Sequence, residues 1–462
     1  LQNIWAGALI VIVALLPVGV QAVMIAHTDF LGDFGAFYCA ARAVSHGADP
    51  YYTEPLRSCE HSVVPGLVHE KNTKLTIPAP LPGYTLAAFV PLSVLPFTAA
   101  ATAWLILLLL AWAICIGTVV RFAGCSWKTV LAASSLSLGA TAIPLGQIVP
   151  VAVAAICVAA LFAWMGRWRL AAVAAAVSLI EPHLGLPVCV ALAIWAPPTR
   201  IALGVSVAVL AAISLLAIGP ATNLEYFTSV LPAHALSEAA FNMQYSLTSV
   251  LVSLGVADKS AVRVGSLWYF AMLALGVVVA GLLARKTGNR AFLVCAPPAF
   301  AVFGGVYVHE TQVATALPVT LLFLTYAKAW RHTVAVLAFL LLAVLWRMAN
   351  SPAVILAPAF PIGYLAARFW NGSLRAIALA AVATVLLFLG IDHAYLATPR
   401  QHPNAYVGST IDPRFPEASW SMFLRANRTP SAASWIARIP TWSGLVLILG
   451  VLSMDAFERR RV

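Results

Sequence analysis

Almost from end to end the chain alternates between long apolar stretches and short polar breaks, and this alternation most limits what it can fold into. About 20 apolar residues in a helix cross the hydrocarbon core of a bilayer, and inside lipid only helices or closed barrels satisfy their own backbone. The chain is therefore expected to be all-α and polytopic, one membrane domain over residues 1–462. With 62% apolar and 9% charged residues, it has no room for a hidden soluble domain. Its long polar stretches are 27–76 and 392–440.

The formal net charge of +11 does not point to nucleic acid, because the basic residues stand in ones, twos and threes between spans. That is how cytoplasmic loops hold a membrane protein's orientation. Arg121 and Lys128, Arg167 and Arg169, Arg200, Arg285, Lys286 and Arg290, Lys328 and Arg331, Arg368 and Arg375, and Arg459, Arg460 and Arg461 are assigned to the cytoplasm. Spans then fall near 5–26, 97–120, 129–144, 148–165, 170–182, 184–197, 201–219, 262–284, 291–307, 311–327, 333–346, 352–366, 374–391 and 441–456. About 12–14 spans are expected, since Pro182 either kinks one helix or separates two. Residues 4–26 are read as a retained span rather than a cleaved signal.

Residues 77–95 are apolar enough to cross but carry Pro78, Pro80, Pro82, Gly83 and Pro91, which disfavour a regular helix. They are expected to form an interfacial or partly re-entrant element within a first extracytoplasmic loop over 27–96. A second outer segment, 392–440, precedes the last span. Its Trp420, Trp435, Arg400, Arg414, Arg425, Arg428 and Arg438 suit either interfacial anchoring or contact with sugars and headgroups. Of the 16 acidic residues, this topology leaves only Asp455 and Glu458 inside. Acids contribute little to orientation, so their gathering outside suggests a polar working surface there. Span centres carry no charge, which counts against an ion-coupled transporter.

Seven cysteines are scattered without metal-ligand spacing, so no zinc site is expected. Cys39 and Cys59 share the first loop and are able to pair if it faces an oxidising compartment, but the sequence leaves that pairing open. In that loop Phe34, Phe37, Tyr38, Ala41 and Val44 recur at helical spacing, with Arg42 and His46 off that face. The pattern predicts an interfacial helix begun at Asp33 and stopped at Gly47. Asp33 stands where a helix cap belongs. It also stands where a carboxylate at the mouth of a membrane cavity can take a proton from a hydroxyl.

These residues, Asp33-Phe34-x-x-Phe37-Tyr38-x-Ala40-Ala41-x-Ala43 followed by Gly47-x-Asp49-Pro50-Tyr51, resemble the signature of glycosyltransferase family 87. Three further matches follow in order: Pro78-Ala79-Pro80-Leu81-Pro82, Gly146-Gln147, and Asn242-Met243-Gln244-Tyr245-Ser246-Leu247. The resemblance runs over roughly residues 1–330. It implies a GT-C-like bundle that moves a sugar, mannose or arabinofuranose in the known cases, from a polyprenyl-phosphate donor to a lipid or glycan acceptor. The reaction would invert the sugar carbon at the extracytoplasmic face of the cell (inner) membrane, with membrane lipids around it. Asp33 would be the general base, with Asp29 as the competing carboxylate.

A departing lipid monophosphate needs donors or cations aimed at it, but carries less charge than a nucleotide diphosphate, so no metal or other cofactor is expected. Candidate partners on the outer face are His309, His183, Arg42, Arg263 and Arg347. The resemblance implies a phosphate-contacting histidine in the late region, which favours His309; its plainer reading is an interfacial histidine satisfied by Glu310. At Glu181-Pro182-His183 the family often has a lysine before the proline, so a phosphate cation is missing here. That turn either hydrogen-bonds sugar hydroxyls or caps a helix. Gln147 binds sugar or satisfies orphan carbonyls of a tight turn, and Asn242 and Gln244 join the candidate substrate contacts. A transporter or flippase of lipid-linked saccharides is the competing reading. An O-antigen-ligase-like enzyme is the third, and would carry a large outer loop later in the chain.

Overall fold

A computed structural model describes residues 32–63, 75–343, 409–426 and 431–458, with 365, 368, 382, 383, 386, 389, 390 and 393 singly. The spans expected at 5–26, 352–366 and 374–391, together with Asp29, Arg347, Arg400 and Arg428, lie wholly or mostly outside the described residues. Among the described residues every regular element is helical. The first-loop helices are α1 (Gly32–Ser45), α2 (Thr53–Val63) and α3 (Gly83–Ser93). Then come α4 (Phe97–Ala123), α5 (Trp127–Ser134, continuing as a wider π-type turn over Ser135–Ala142), α6 (Val149–Trp164), α7 (Trp168–Val177), α8 (Pro182–Trp195) and α9 (Arg200–Glu225). The later part holds α10 (Leu231–Glu238), α11 (Leu247–Ser253), α12 (Asp258–Thr287), α13 (Phe292–Gly304), the single turn α14 (Glu310–Val313), α15 (Ala316–Leu324), α16 (Ala329–Leu342), α17 (Glu417–Ala426) and α18 (Ser431–Phe457).

Four helical runs are long and apolar enough to cross a bilayer: Phe97–Ala123, Pro197–Glu238, Asp258–Thr287 and Ser434–Phe457. The second, at 42 residues, would reach about 63 Å if straight, twice a hydrocarbon core. It is divided at Gly219, whose φ of 75° and ψ of 166° break the helix just before Pro220. The part before the break faces outward, with Ile201 84% and Leu216 88% exposed; lipid, not water, accommodates such side chains. Shorter apolar helices pack between the long runs. Helices α12 and α13 pack closely: a Cβ on Gly276 would lie 2.7 Å from that of Phe300, so only glycine lets the two backbones approach so near.

At one end of the bundle Lys286 Nζ lies 3.2 Å from Asp455 Oδ1, while Arg331 Nη1 reaches Asp455 at 2.7 Å and Glu458 at 2.8 Å. Three helices, α12, α16 and α18, are thus joined by charge at the end where the cytoplasmic residues were expected.

Two differences from the hydropathy reading matter. The last helix begins at Ser431, ten residues before the expected span, and runs through Pro440. Trp435 and Arg438 therefore sit on a packed helix. Arg438 is fully buried between the Trp435 and Trp442 rings, each 4.9 Å from its guanidinium. Helix α1 also differs. Besides Phe34, Phe37, Tyr38 and Ala41 it buries Ala36, Cys39, Ala40 and Ala43, so protein encloses it on nearly every side.

The first loop folds onto the bundle as a unit. Cys39 and Cys59 form a disulfide joining α1 to α2. The proline-rich stretch before α3 is extended and docks through Ile77 N donating to the buried Glu60 carboxylate at 2.9 Å. With 11 residues, α3 spans about 16 Å and is too short to cross.

Candidate active site

Asp33 lies inside the first turn of α1, not before it, and its carboxylate is engaged across the fold. Gln147 Nε2 donates to Asp33 Oδ2 at 2.6 Å. One tryptophan fixes both partners. Trp104, on α4, stacks on Phe34 with ring centroids 5.9 Å apart and donates from Nε1 to Gly146 O at 2.9 Å. It therefore touches the residue after Asp33 and the residue before Gln147. Gly146 adopts φ of +70°, the left-handed conformation that closes the turn presenting Gln147. Phe89 and Phe97 complete the aromatic packing around Phe34.

Near this pair lie residues from late in the chain. His309 and Glu310 follow α13, and Glu238 ends α10; all three lie within electrostatic reach of Asp33. Burial pushes the Asp33 carboxyl up to about 6, with Glu238 and Glu310 adding to the rise, while the Gln147 bond and His309 oppose it. Asp33 is half-buried, enclosed by protein yet still open on one side.

His309 Nε2 lies 3.4 Å from Glu238 Oε2. Glu238 is itself gripped by Gln244 Nε2 and by Trp420 Nε1, the latter at 2.8 Å from the strap helix α17. Gln244 is fully committed as a brace. Its Oε1 accepts from Val308 N at 3.3 Å, and its backbone oxygen accepts from Arg438 Nη1 at 3.0 Å. Asn242 contributes its backbone oxygen to Ser434 Oγ at 2.7 Å.

The α7–α8 break at Glu181 is real: its extended backbone separates the helices, and Pro182 opens α8. His183 Nδ1 lies 3.6 Å from Glu181 Oε2. Beyond it stand Tyr307, with its ring 5.8 Å from that of His183, and His234, 5.0 Å from Tyr307.

Asp33, Gln147, His309 and Glu310 thus come together, Glu181 and His183 line the adjoining region, and Asn242 and Gln244 act from behind. Arg42 is not brought in: it is exposed, nine residues along α1 and so about 13 Å from Asp33. Arg263 is exposed on α12. Among the described residues no group of three His, Cys, Asp or Glu side chains is set to hold a metal ion.

Glu238, His234, Glu417, Tyr307 and Trp104 escaped the sequence reading as site residues. One signal was present: His234 and Glu238 are four apart on one helix, hence on one face.

The described residues thus form a helical bundle with apolar, membrane-crossing runs and a braced carboxylate beside histidines and hydrogen-bonding groups. The model of glycosyltransferase family 87 matches residues 82–308 and supports the family that the motifs resemble. That match takes in Gln147, Glu181, His183, Glu238, Asn242 and Gln244; Asp33 and His309 flank it. No curated protein and no solved structure matches the chain. The protein is a membrane glycosyltransferase.

Proposed function

We propose that the enzyme transfers a sugar from a polyprenyl-phosphate donor to a hydroxyl of a lipid or glycan acceptor at the extracytoplasmic face of the inner membrane, inverting the anomeric carbon. The observation carrying this reading is the Asp33–Gln147 pair, 2.6 Å apart, facing His309. Asp33 accepts the proton of the acceptor hydroxyl as its oxygen attacks C1. The bond from C1 to the phosphate oxygen breaks and the lipid phosphate leaves with the electron pair. His309 faces that phosphate, and Glu238 orients the imidazole from its far side. A carboxyl near 6 suits a general base working close to neutrality.

Two features support the outer face. The Cys39–Cys59 disulfide belongs to an oxidising compartment, and α1, which bears one of its cysteines, also bears Asp33. The cluster of Lys286, Arg331, Asp455 and Glu458 joins helix ends whose charges suit the cytoplasm.

The test is Asp33→Asn in purified full-length protein supplied with labelled polyprenyl-phosphate sugar. Transfer is expected to fall by about 10²–10⁴-fold while the protein elutes and unfolds as a folded species. Undiminished turnover removes Asp33 from the mechanism. Movement of labelled lipid across reconstituted vesicles without a new glycosidic bond would favour a flippase instead.

A further inference from the structure

We infer that the region around Tyr307 is a subsite for an uncharged sugar ring, with His183, His234 and Glu417 as the groups that hold its hydroxyls. The inference rests on the proposed reaction and names a second contact region for one of its substrates. Three buried polar atoms there lack any hydrogen-bond partner: His183 Nε2, His234 Nδ1 and Glu417 Oε2. His234 is 7% and Glu417 1% exposed, so bulk water does not serve these atoms. The nearest approach between the two residues, His234 Nδ1 to Glu417 Oε1, is 3.8 Å, beyond hydrogen-bond distance. Folded proteins rarely leave such atoms orphaned without a reason.

The three atoms belong to residues from α8, α10 and α17, which meet around one aromatic ring. Tyr307 lies 5.0 Å from the His234 ring and 5.8 Å from the His183 ring. The chemistry selects the ligand. Each sugar hydroxyl both donates and accepts, so it satisfies an imidazole nitrogen in either tautomer and a carboxylate oxygen as well. The apolar face of a sugar ring packs on a tyrosine. A phosphate would meet carboxyl groups rather than cations here, Glu181 at 3.6 Å from His183 and Glu417 at 3.8 Å from His234. An acyl chain would leave all three polar atoms unpaired. The subsite adjoins the reaction centre: His183 and His234 are both within electrostatic reach of His309, which in turn reaches Asp33.

A sugar ring here comes from either the donor or the acceptor, and the experiment separates the two. Full-length protein in detergent is examined by saturation-transfer NMR with methyl mannopyranoside, methyl arabinofuranoside and methyl glucopyranoside, none of which carries phosphate. At least one is expected to bind wild type. His234→Ala and the isosteric Glu417→Gln are each expected to weaken binding about tenfold, as for one lost hydrogen bond. Asp33→Asn is expected to bind like wild type, so this readout stays independent of the catalytic reading. In turnover, Glu417→Gln is expected to raise one KM about tenfold with kcat nearly kept: the donor's if the ring is the transferred sugar, the acceptor's if it is the receiving one. Absence of glycoside binding to wild type overturns the inference. So does binding by both variants as tight as that of wild type, or unchanged KM values for both substrates.

Discussion

At Asp33 two opposed influences meet: enclosure by protein lifts the carboxyl from 3.8 to about 6, while Gln147 pulls it back by donating to the charged form. A base must be ionised to accept a proton, so transfer is expected to rise with pH through about 6 and level off above it. Removing the donor removes stabilisation of the carboxylate and pushes its pKa higher. Gln147→Leu is therefore expected to move the acid limb of kcat/KM upward, with activity recovering at alkaline pH. A pH–rate profile of the two proteins measures this. A limb that stays in place, or activity lost equally at every pH, would mean that Gln147 does not act through the Asp33 charge. His309 opposes the rise as well, so His309→Ala is expected to move the limb in the same direction as Gln147→Leu.

Individual elements explain why that geometry holds. Helix α1 and the turn between α5 and α6 are far apart in sequence, and Trp104 of α4 joins them by stacking on one side and hydrogen bonding on the other. Trp104→Phe keeps an aromatic ring but deletes the donor to Gly146 O. The turn presenting Gln147 then loses an anchor, and kcat is expected to fall about 10-fold or more with a smaller change in KM, since a small misplacement of a reacting group is costly. Steady-state kinetics decide the matter; a change confined to KM would argue that Trp104 serves binding alone. Much of this scale was legible in the sequence. The aromatic spacing of α1, the proline-broken stretch before α3 and the Gly146-Gln147 turn all come from local rules. The strap helix α17 was not. Its Trp420 reaches Glu238 across 182 positions, and no periodicity reports a contact of that range. Arg438 misled for a related reason: an arginine near a span end reads as an interfacial anchor, whereas here two tryptophan rings and the backbone of Gln244 enclose it.

The whole molecule is polarised between its ends. Spans are readable in sequence because a bilayer demands apolar side chains and internally satisfied backbones, and the exposed apolar faces of α9 and α12 meet that demand directly. Which end faces out is a property of the whole charge distribution, carried by no single helix. One end holds Asp33, Glu181, Glu238, Glu310 and Glu417 in or beside a partly enclosed site, together with a disulfide. The other holds Lys286 and Arg331 paired with Asp455 and Glu458. On the proposed topology the positive-inside bias turns the second end toward the cytoplasm. Ser45, at the end of α1, and Thr325, after α15, are both exposed and report on opposite ends. With Cys125 replaced by serine, Ser45→Cys is expected to react with a membrane-impermeant maleimide in intact cells. Thr325→Cys is expected to react only once the membrane is permeabilised. The reverse pattern would turn the site toward the cytoplasm, where a disulfide between Cys39 and Cys59 would not persist and where soluble nucleotide sugars would come within reach of Asp33.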